Sequence, residues 1–268
     1  MFGTNFGNNA SSGGVSYTPE AIAYFDAVED AGGTLTDNVK DEYNAFVIRE
    51  KDASRYDKIK RLYPYLGGAI NSARIDAVSL ASATNVNFVD ADADATCGLQ
   101  PDGSTKYLVD SNANAIWASV NDAQGWHFQN GTSGGTSYMF GAQKTTATVG
   151  FIGLLQTVSN TIAAVGDLAI VANGASMVGA KSAAFGRFSS TDLRVWVDGA
   201  SQVQNTTANS EVLPALPVYI FARNRNNSAS LLNSVLSYGT MMAEGMTTTE
   251  LLASEASYRT FLTNIEAI

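Results

Sequence analysis

The 268 residues predict a mainly β protein: antiparallel sheets packed face to face, with a small helical module before them and one helix after. Three observations carry this. Only 15% of residues are charged against 45% hydrophobic, which leaves a surface of Ser, Thr, Asn and Gly suited to turn-rich β architecture. After residue 68 the chain breaks into strand-length apolar or alternating runs separated by Gly, Asn, Ser and Asp clusters. Helical spacing is confined to 18–64 and to the last stretch, so no βαβ pattern appears.

Residues 1–17, "MFGTNFGNNASSGGVSY", lack the basic start and apolar middle of a secretory leader and read as a Gly/Asn/Ser arm. Ordering such an arm is entropically costly, so a neighbouring subunit is expected to hold it through Phe2, Phe6 and Tyr17. Residues 18–68 form the helical module. Thr18 caps a first helix with Pro19 at its first position, Gly32 and Gly33 end it, and Ile22, Phe25 and Val28 give its apolar face. Thr36 caps a second helix, with Val39, Tyr43, Phe46 and Val47 three and four apart. A third helical turn is expected from Ser54, grouping Tyr56, Ile59 and Leu62 before Pro64.

The sandwich is expected over 69–246, from the runs "KYLV" (106–109), "AIWASV" (115–120), "GWHF" (125–128), "SYMFGA" (137–142), "ATVGFIGLL" (147–155), "DLAIVA" (167–172), "LRVWVDG" (193–199), "PVYIFA" (217–222) and "SVLSYG" (234–239). In "LRVWVDG", Leu193, Val195 and Val197 share one face, Arg194 and Trp196 the other, and Asp198-Gly199 turns the chain. Residues 247–268 form a closing helix. Thr247 and Glu250 have capping-box spacing, and Leu251, Tyr258, Leu262 and Ile265 make one stripe.

A net charge of -9 sets nucleic acid aside as a partner, because the chain has no surplus of cations to neutralise phosphates. No run reaches the roughly 18 apolar residues of a membrane span. Cys97 is the single cysteine and has no disulfide partner in the chain.

For metals, Asp90, Asp92 and Asp94 in "DADAD" put three carboxylates at a spacing of two. Read as an EF-hand, the sharp-turn position would be Ala95 and the bidentate acid Pro101, so that motif fails. Calcium in another geometry stays open, beside carboxylates that simply face water; no other cofactor is expected. His127, the one histidine, has no serine elbow near it and reads as a packed residue. No Glu-x-Asp-x-x-Glu pattern puts two acids on one strand, so a glucanase-type glycosidase is the least favoured class and no catalytic residue is assigned. For sugar binding, Trp117, Trp126, Tyr138, Trp196 and Tyr219 are the stacking candidates, with Arg223, Asn224, Asn226 and Asn227 as polar ones. The competing reading makes the aromatics core residues and Arg223–Asn227 the tight corner of a chain leaving a core strand.

The stretches "STDLRVWVDGASQ" and "LPVYIFARNRNNSASLLNSVLSYG", with Asp198-Gly199 and Ala222-Arg223-Asn224-Arg225-Asn226, resemble the C-terminal half of a group of bacteriophage virion proteins. The leader from "AIAYFDAVEDAGG" to "LYPYLGG" at 62–68 is similar to theirs as well. The resemblance implies a concanavalin A-like, laminin-G-type jelly roll and a virion location, as a fibre, spike, capsid-surface or tail component. It implies other virion proteins as partners and a homo-oligomer, and no established catalytic role. The alternative is a lectin that recognises host surface polysaccharide.

Overall fold

The computed structural model describes residues 16–131, 135–144, 149–157, 161–167, 171–173, 182–207 and 212–268. Two helices come first, α1 (Pro19–Asp30) and α2 (Asp37–Asp52). Thr18 Oγ1 accepts the Ala21 N–H and Thr36 Oγ1 the Val39 N–H, each at 3.3 Å, so both caps satisfy an otherwise orphaned donor. The buried stripe of α1 runs through Ala21, Tyr24, Phe25 and Val28. Ile22, expected on that face, is 45% exposed, because it follows Ala21 by one residue and so points about 100° away from it.

The third helical turn does not extend as expected. Tyr56–Lys58 is a single 3₁₀ turn, and the chain straightens into strand β1 (Ile59–Tyr63). Next come α3 (Ile70–Ala73), β2 (Thr84–Val86), β3 (Tyr107–Asn112) and α4 (Ala113–Ile116). The strands continue with β4 (Ala123–Gln129), β5 (Ser137–Gln143), β6 (Val149–Gln156), β7 (Thr161–Asp167), β8 (Val171–Asn173), β9 (Ser182–Ser189), β10 (Asp192–Val197) and β11 (Ala200–Asn205). They end with β12 (Pro217–Ile220), β13 (Arg223–Arg225), β14 (Ser228–Ser230) and β15 (Ser237–Glu244), before α5 (Thr248–Asn264). Thus "AIWASV" is not a strand, and "DLAIVA" straddles the end of β7 and the start of β8. In "LRVWVDG" the expected turn forms, with Asp198 and Gly199 both left-handed at φ 48° and 74°.

Among the described residues, one sheet has six strands in the order β1-β15-β4-β9-β10-β11. The other has nine: a path β2-β3-β12-β5-β6-β7-β8, with β13 against β5 and β14 against β13. The result is a mainly β jelly-roll sandwich with N-terminal helices and a C-terminal helix. Two apolar clusters divide it into layers. Leu108, Met139, Phe140, Ile152, Phe185, Val195, Val218 and Ile220 fill the space between the sheets. Trp126, Phe128, Trp196 and Met241, on the opposite face of the six-stranded sheet, pack under α1, α2 and α5.

That central sheet is covered on both faces, which explains the misread β1. Leu62 joins the cluster under the helices and Tyr63 the cluster between the sheets, so no polar alternation marks the strand. The capping box of α5 forms, with Thr247 N donating to Glu250 Oε2 at 2.7 Å and Glu250 N to Thr247 Oγ1 at 3.2 Å. Tyr258 then reaches across the sheet. Its ring lies 4.6 Å from that of Trp126, and its hydroxyl donates to the Tyr238 carbonyl at 2.9 Å. Gly239 is needed beneath it, since a Cβ there would come within 2.5 Å of the Tyr258 hydroxyl.

Candidate functional site

Alternation along the strands of the nine-stranded sheet, interrupted by a register break at Met139 in β5, sorts its two faces. Leu108, Val218, Ile220, Met139, Phe140, Ala142, Ile152 and Leu154 point into the sandwich. Their neighbours Tyr107, Val109, Tyr219, Tyr138, Gln143, Phe151 and Leu155 therefore point to the outer face, and none of these is a carboxylate. In register, Tyr219 opposes Val109 on one side and Gly141 on the other, and Gly141 opposes Gly153. These glycines leave room for two rings to lie on the sheet. A Cβ on Gly141 would sit 3.1 Å from the Tyr138 ring, and one on Gly153 3.1 Å from the Phe151 ring.

Three features then build outward. Tyr107 and Tyr219 stack across strands with centroids 4.8 Å apart and planes at 28°. Phe221 holds a left-handed φ of 68° and turns the chain out of β12. A bulky residue resists that conformation, at a cost on the order of 1–3 kcal/mol. It is held there by its N–H donating to the Met139 carbonyl at 2.8 Å and its carbonyl accepting from Asn233 N at 2.7 Å. The hairpin β13–β14 follows, with Asn226 and Asn227 both left-handed at its tip (φ 51° and 65°). Arg223 and Arg225 flank Asn224. The Arg223 guanidinium carbon lies 5.3 Å from the centre of the Tyr138 ring, its Nε donates to Ser230 Oγ at 3.0 Å, and neither arginine forms an ion pair among the described residues. Burial raises the Tyr138 phenol above its ordinary pKa, with both arginines pulling the other way.

Some predicted residues fall here and some do not. Arg223 and Asn226 lie on the hairpin, with Asn226 exposed. Asn224 is fully buried and structural: its Nδ2 donates to the Pro217 carbonyl at 2.8 Å and its Oδ1 accepts from Asn227 N at 2.7 Å. Trp126 and Trp196 are not sugar platforms, being 0% and 2% exposed beneath the helices. Trp117 is core too, its indole N–H donating to the Ala243 carbonyl at 2.9 Å.

Nor do Asp90, Asp92 and Asp94 converge as a metal site, and no group of three metal-ligating side chains occurs among the described residues. Asp90 accepts from Ile70 N at 3.0 Å, Asp92 pairs with Lys106 at 2.6 Å, and Asp94 accepts from Thr96 N and Cys97 N at 2.9 and 3.1 Å. His127 is a packed residue: fully buried, it pairs through Nδ1 with Thr240 Oγ1 at 2.7 Å and through Nε2 with Ser237 Oγ at 3.0 Å. Of the arm residues, Tyr17 packs edge-on to Phe25 and donates to Asp41 at 2.8 Å; Phe2 and Phe6 lie outside the described residues. Sequence reasoning missed Tyr107 and Arg225. Alternation in "KYLV" places Tyr107 opposite the core residue Leu108, and Arg225 follows Arg223 by two, as two residues sharing a strand face do.

The chain matches no protein-family profile and no curated protein sequence. Among solved structures it is similar to domain 4 of AbnA, a GH43 extracellular arabinanase from Geobacillus stearothermophilus, in complex with arabinotriose. The TM-score is 0.51 at 13% identity, over 74% of this chain and 98% of that one. It is also similar to the CBM40 of the Ruminococcus gnavus IT-sialidase, with a TM-score of 0.46 at 8% identity over 59% and 96% of the two chains. At these identities the likeness concerns the fold.

Proposed function

We propose that this is a non-catalytic carbohydrate-recognition protein whose binding surface is the outer face of the nine-stranded sheet. The observation that carries this is the partly exposed Tyr107 ring, backed by its stack on the buried Tyr219 (7% exposed), on a face that no helix among the described residues covers and that also carries two arginines without ion pairs. The Tyr107 ring, held flat by Tyr219 behind it, offers an apolar surface for the C–H face of a sugar ring, and the arginines and hairpin asparagines offer hydrogen bonds to hydroxyls or a carboxylate. The fold shared with domain 4 of AbnA, which was solved with arabinotriose, is consistent with such a role. A glycan array followed by calorimetry tests it. Saturable binding is expected, weakened at least ten-fold in Tyr107→Ala and in Arg223→Ala; a folded chain that binds no glycan would refute it.

A place in a bacteriophage particle is the second reading, supported by the sequence resemblance and by one observation. Tyr17, where the arm begins, docks on the helical layer, on the far side of the molecule from the stacked tyrosines. A chain anchored to neighbouring subunits on one side and presenting a glycan-binding sheet on the other would serve host attachment. Deleting residues 1–16 should leave thermal melting unchanged and abolish incorporation into particles. A truncated chain that unfolds would speak against a separate arm.

A further inference from the structure

Along one side of the sandwich, edge strand β1 of the six-stranded sheet faces strand β3 of the nine-stranded one. Between them is a cavity of about 260 Å³ lined by Arg61, Tyr63, Thr84, Asp110 and Ser111. The Asp110 side chain is only 6% exposed. Its Oδ1 accepts from Arg61 Nε at 3.2 Å and from Ser111 N at 2.5 Å, while its Oδ2 is buried with no hydrogen-bond partner. Arg61 also donates to the Lys60 carbonyl at 2.7 Å and to Ser111 Oγ at 3.1 Å, so two of its five N–H groups remain unused. The Tyr63 hydroxyl borders the same carboxylate; burial first, then the Asp110 and Asp76 charges, raise this phenol well above its ordinary pKa. Nearby Asp76 is different. Its carboxylate already accepts from Leu62 N, Val78 N, Ser79 N and Ser79 Oγ, at 2.8, 3.1, 3.2 and 2.5 Å.

A buried carboxylate oxygen without a partner forfeits on the order of a hydrogen bond's worth of stability unless something donates to it. The surroundings narrow what that is. A divalent cation would face Arg61 across a single unpartnered oxygen, and an anion would meet both Asp110 and Asp76. A pair of adjacent hydroxyls satisfies every group: one donates to Asp110 Oδ2, and its neighbour accepts from Arg61 or from the Tyr63 hydroxyl. The volume is below that of pockets for drug-sized ligands and suits one sugar ring. We propose that the Arg61–Asp110 seam is a binding notch for the adjacent hydroxyls of a neutral monosaccharide unit. It stands on its own geometry and does not require the outer face to bind anything.

Amide chemical shifts of the full chain, titrated with D-galactose, D-mannose and L-arabinose, test this against cyclohexanol, which has a single hydroxyl, and against calcium chloride. Saturable shifts at Tyr63, Thr84, Asp110 and Ser111 are expected with at least one sugar. Binding should be at least ten-fold weaker in Asp110→Asn and unchanged in Arg223→Ala, whose contacts with Tyr138 and Ser230 lie outside the notch. If Asp110→Asn fails to give a native spectrum, Tyr63→Phe takes its place, with at least a three-fold loss expected. The proposal falls if none of the sugars shifts these amides, if cyclohexanol or calcium shifts them equally, or if the folded variants bind as the unaltered chain does.

Discussion

The two aromatic faces of this molecule are made of similar material and buried by different means. Under the helices, the six-stranded sheet presents Trp126, Phe128, Trp196 and Tyr238, all buried. On the outer face of the nine-stranded sheet Tyr138, Phe151 and Tyr219 are buried as well, among neighbouring side chains and under no helix of the described residues, and Tyr107 alone of the four is partly exposed. The cations differ as well. On the helical side they are engaged: Arg55 pairs with Glu50 at 2.8 Å, Arg259 with Glu255 and Asp198 at 2.5 and 2.9 Å, and Arg49 donates to Ser257. Arg223 and Arg225 have no ion pair among the described residues. The pattern of a strand announces a face with aromatics on it; only the elements folded over that face decide whether it is core or surface.

The largest break in this comparison comes from truncating each face. Trp126→Ala should cost about 3–5 kcal/mol of unfolding free energy, as removal of a fully buried indole usually does. Tyr107→Ala, at a partly exposed ring outside both apolar clusters, should cost less than about 1.5 kcal/mol. Urea denaturation of the two variants measures both, and equal losses would mean that the two faces are packed alike.

A smaller effect reports on the layer between the sheets. Burial lowers the His127 pKa from 6.5 to about 3, so the folded protein keeps the ring neutral where the unfolded chain binds a proton. Stability from this group is therefore intact above pH 6.5 and is lost as pH falls from there toward 3, by up to about 1.4 kcal/mol per unit. Denaturant midpoints at pH 7 and pH 5 should differ more in the unaltered protein than in His127→Gln. A histidine that titrates normally in the native state would erase that difference.

Local chemistry made the helices legible. Thr18, Thr36 and Thr247 each cap where their side chains predict, and the Asp198-Gly199 turn forms where the dipeptide stands. Strands bounded by turns were legible too, as in "LRVWVDG". Legibility failed wherever a segment is covered on both faces. Residues 59–63 pack on helices and sheet together and so show a spacing that mimics a helix. Strands β7 and β9, rich in Ala and Gly, have little apolar contrast to read. On the proposed binding face, Arg223 and Tyr219 stand out in the sequence, but the larger indoles of Trp126 and Trp196 compete with them as stacking candidates. Their burial is a tertiary fact, set by α5 lying over them from more than fifty residues further along the chain.

Strand β15, residues 237–244, sits inside the six-stranded sheet between β1, from 59–63, and β4, from 123–129. Translation delivers those two neighbours long before the strand that joins them. Until then β1 and β4 each offer an unpaired backbone edge, the kind of template that recruits a second nascent chain. A ribosome stalled anywhere before residue 237 thus leaves the sheet split and its apolar faces open, while the arrival of β15 closes both edges in one step. Productive assembly of this sheet is thereby tied to how quickly strand β15 is made and captured.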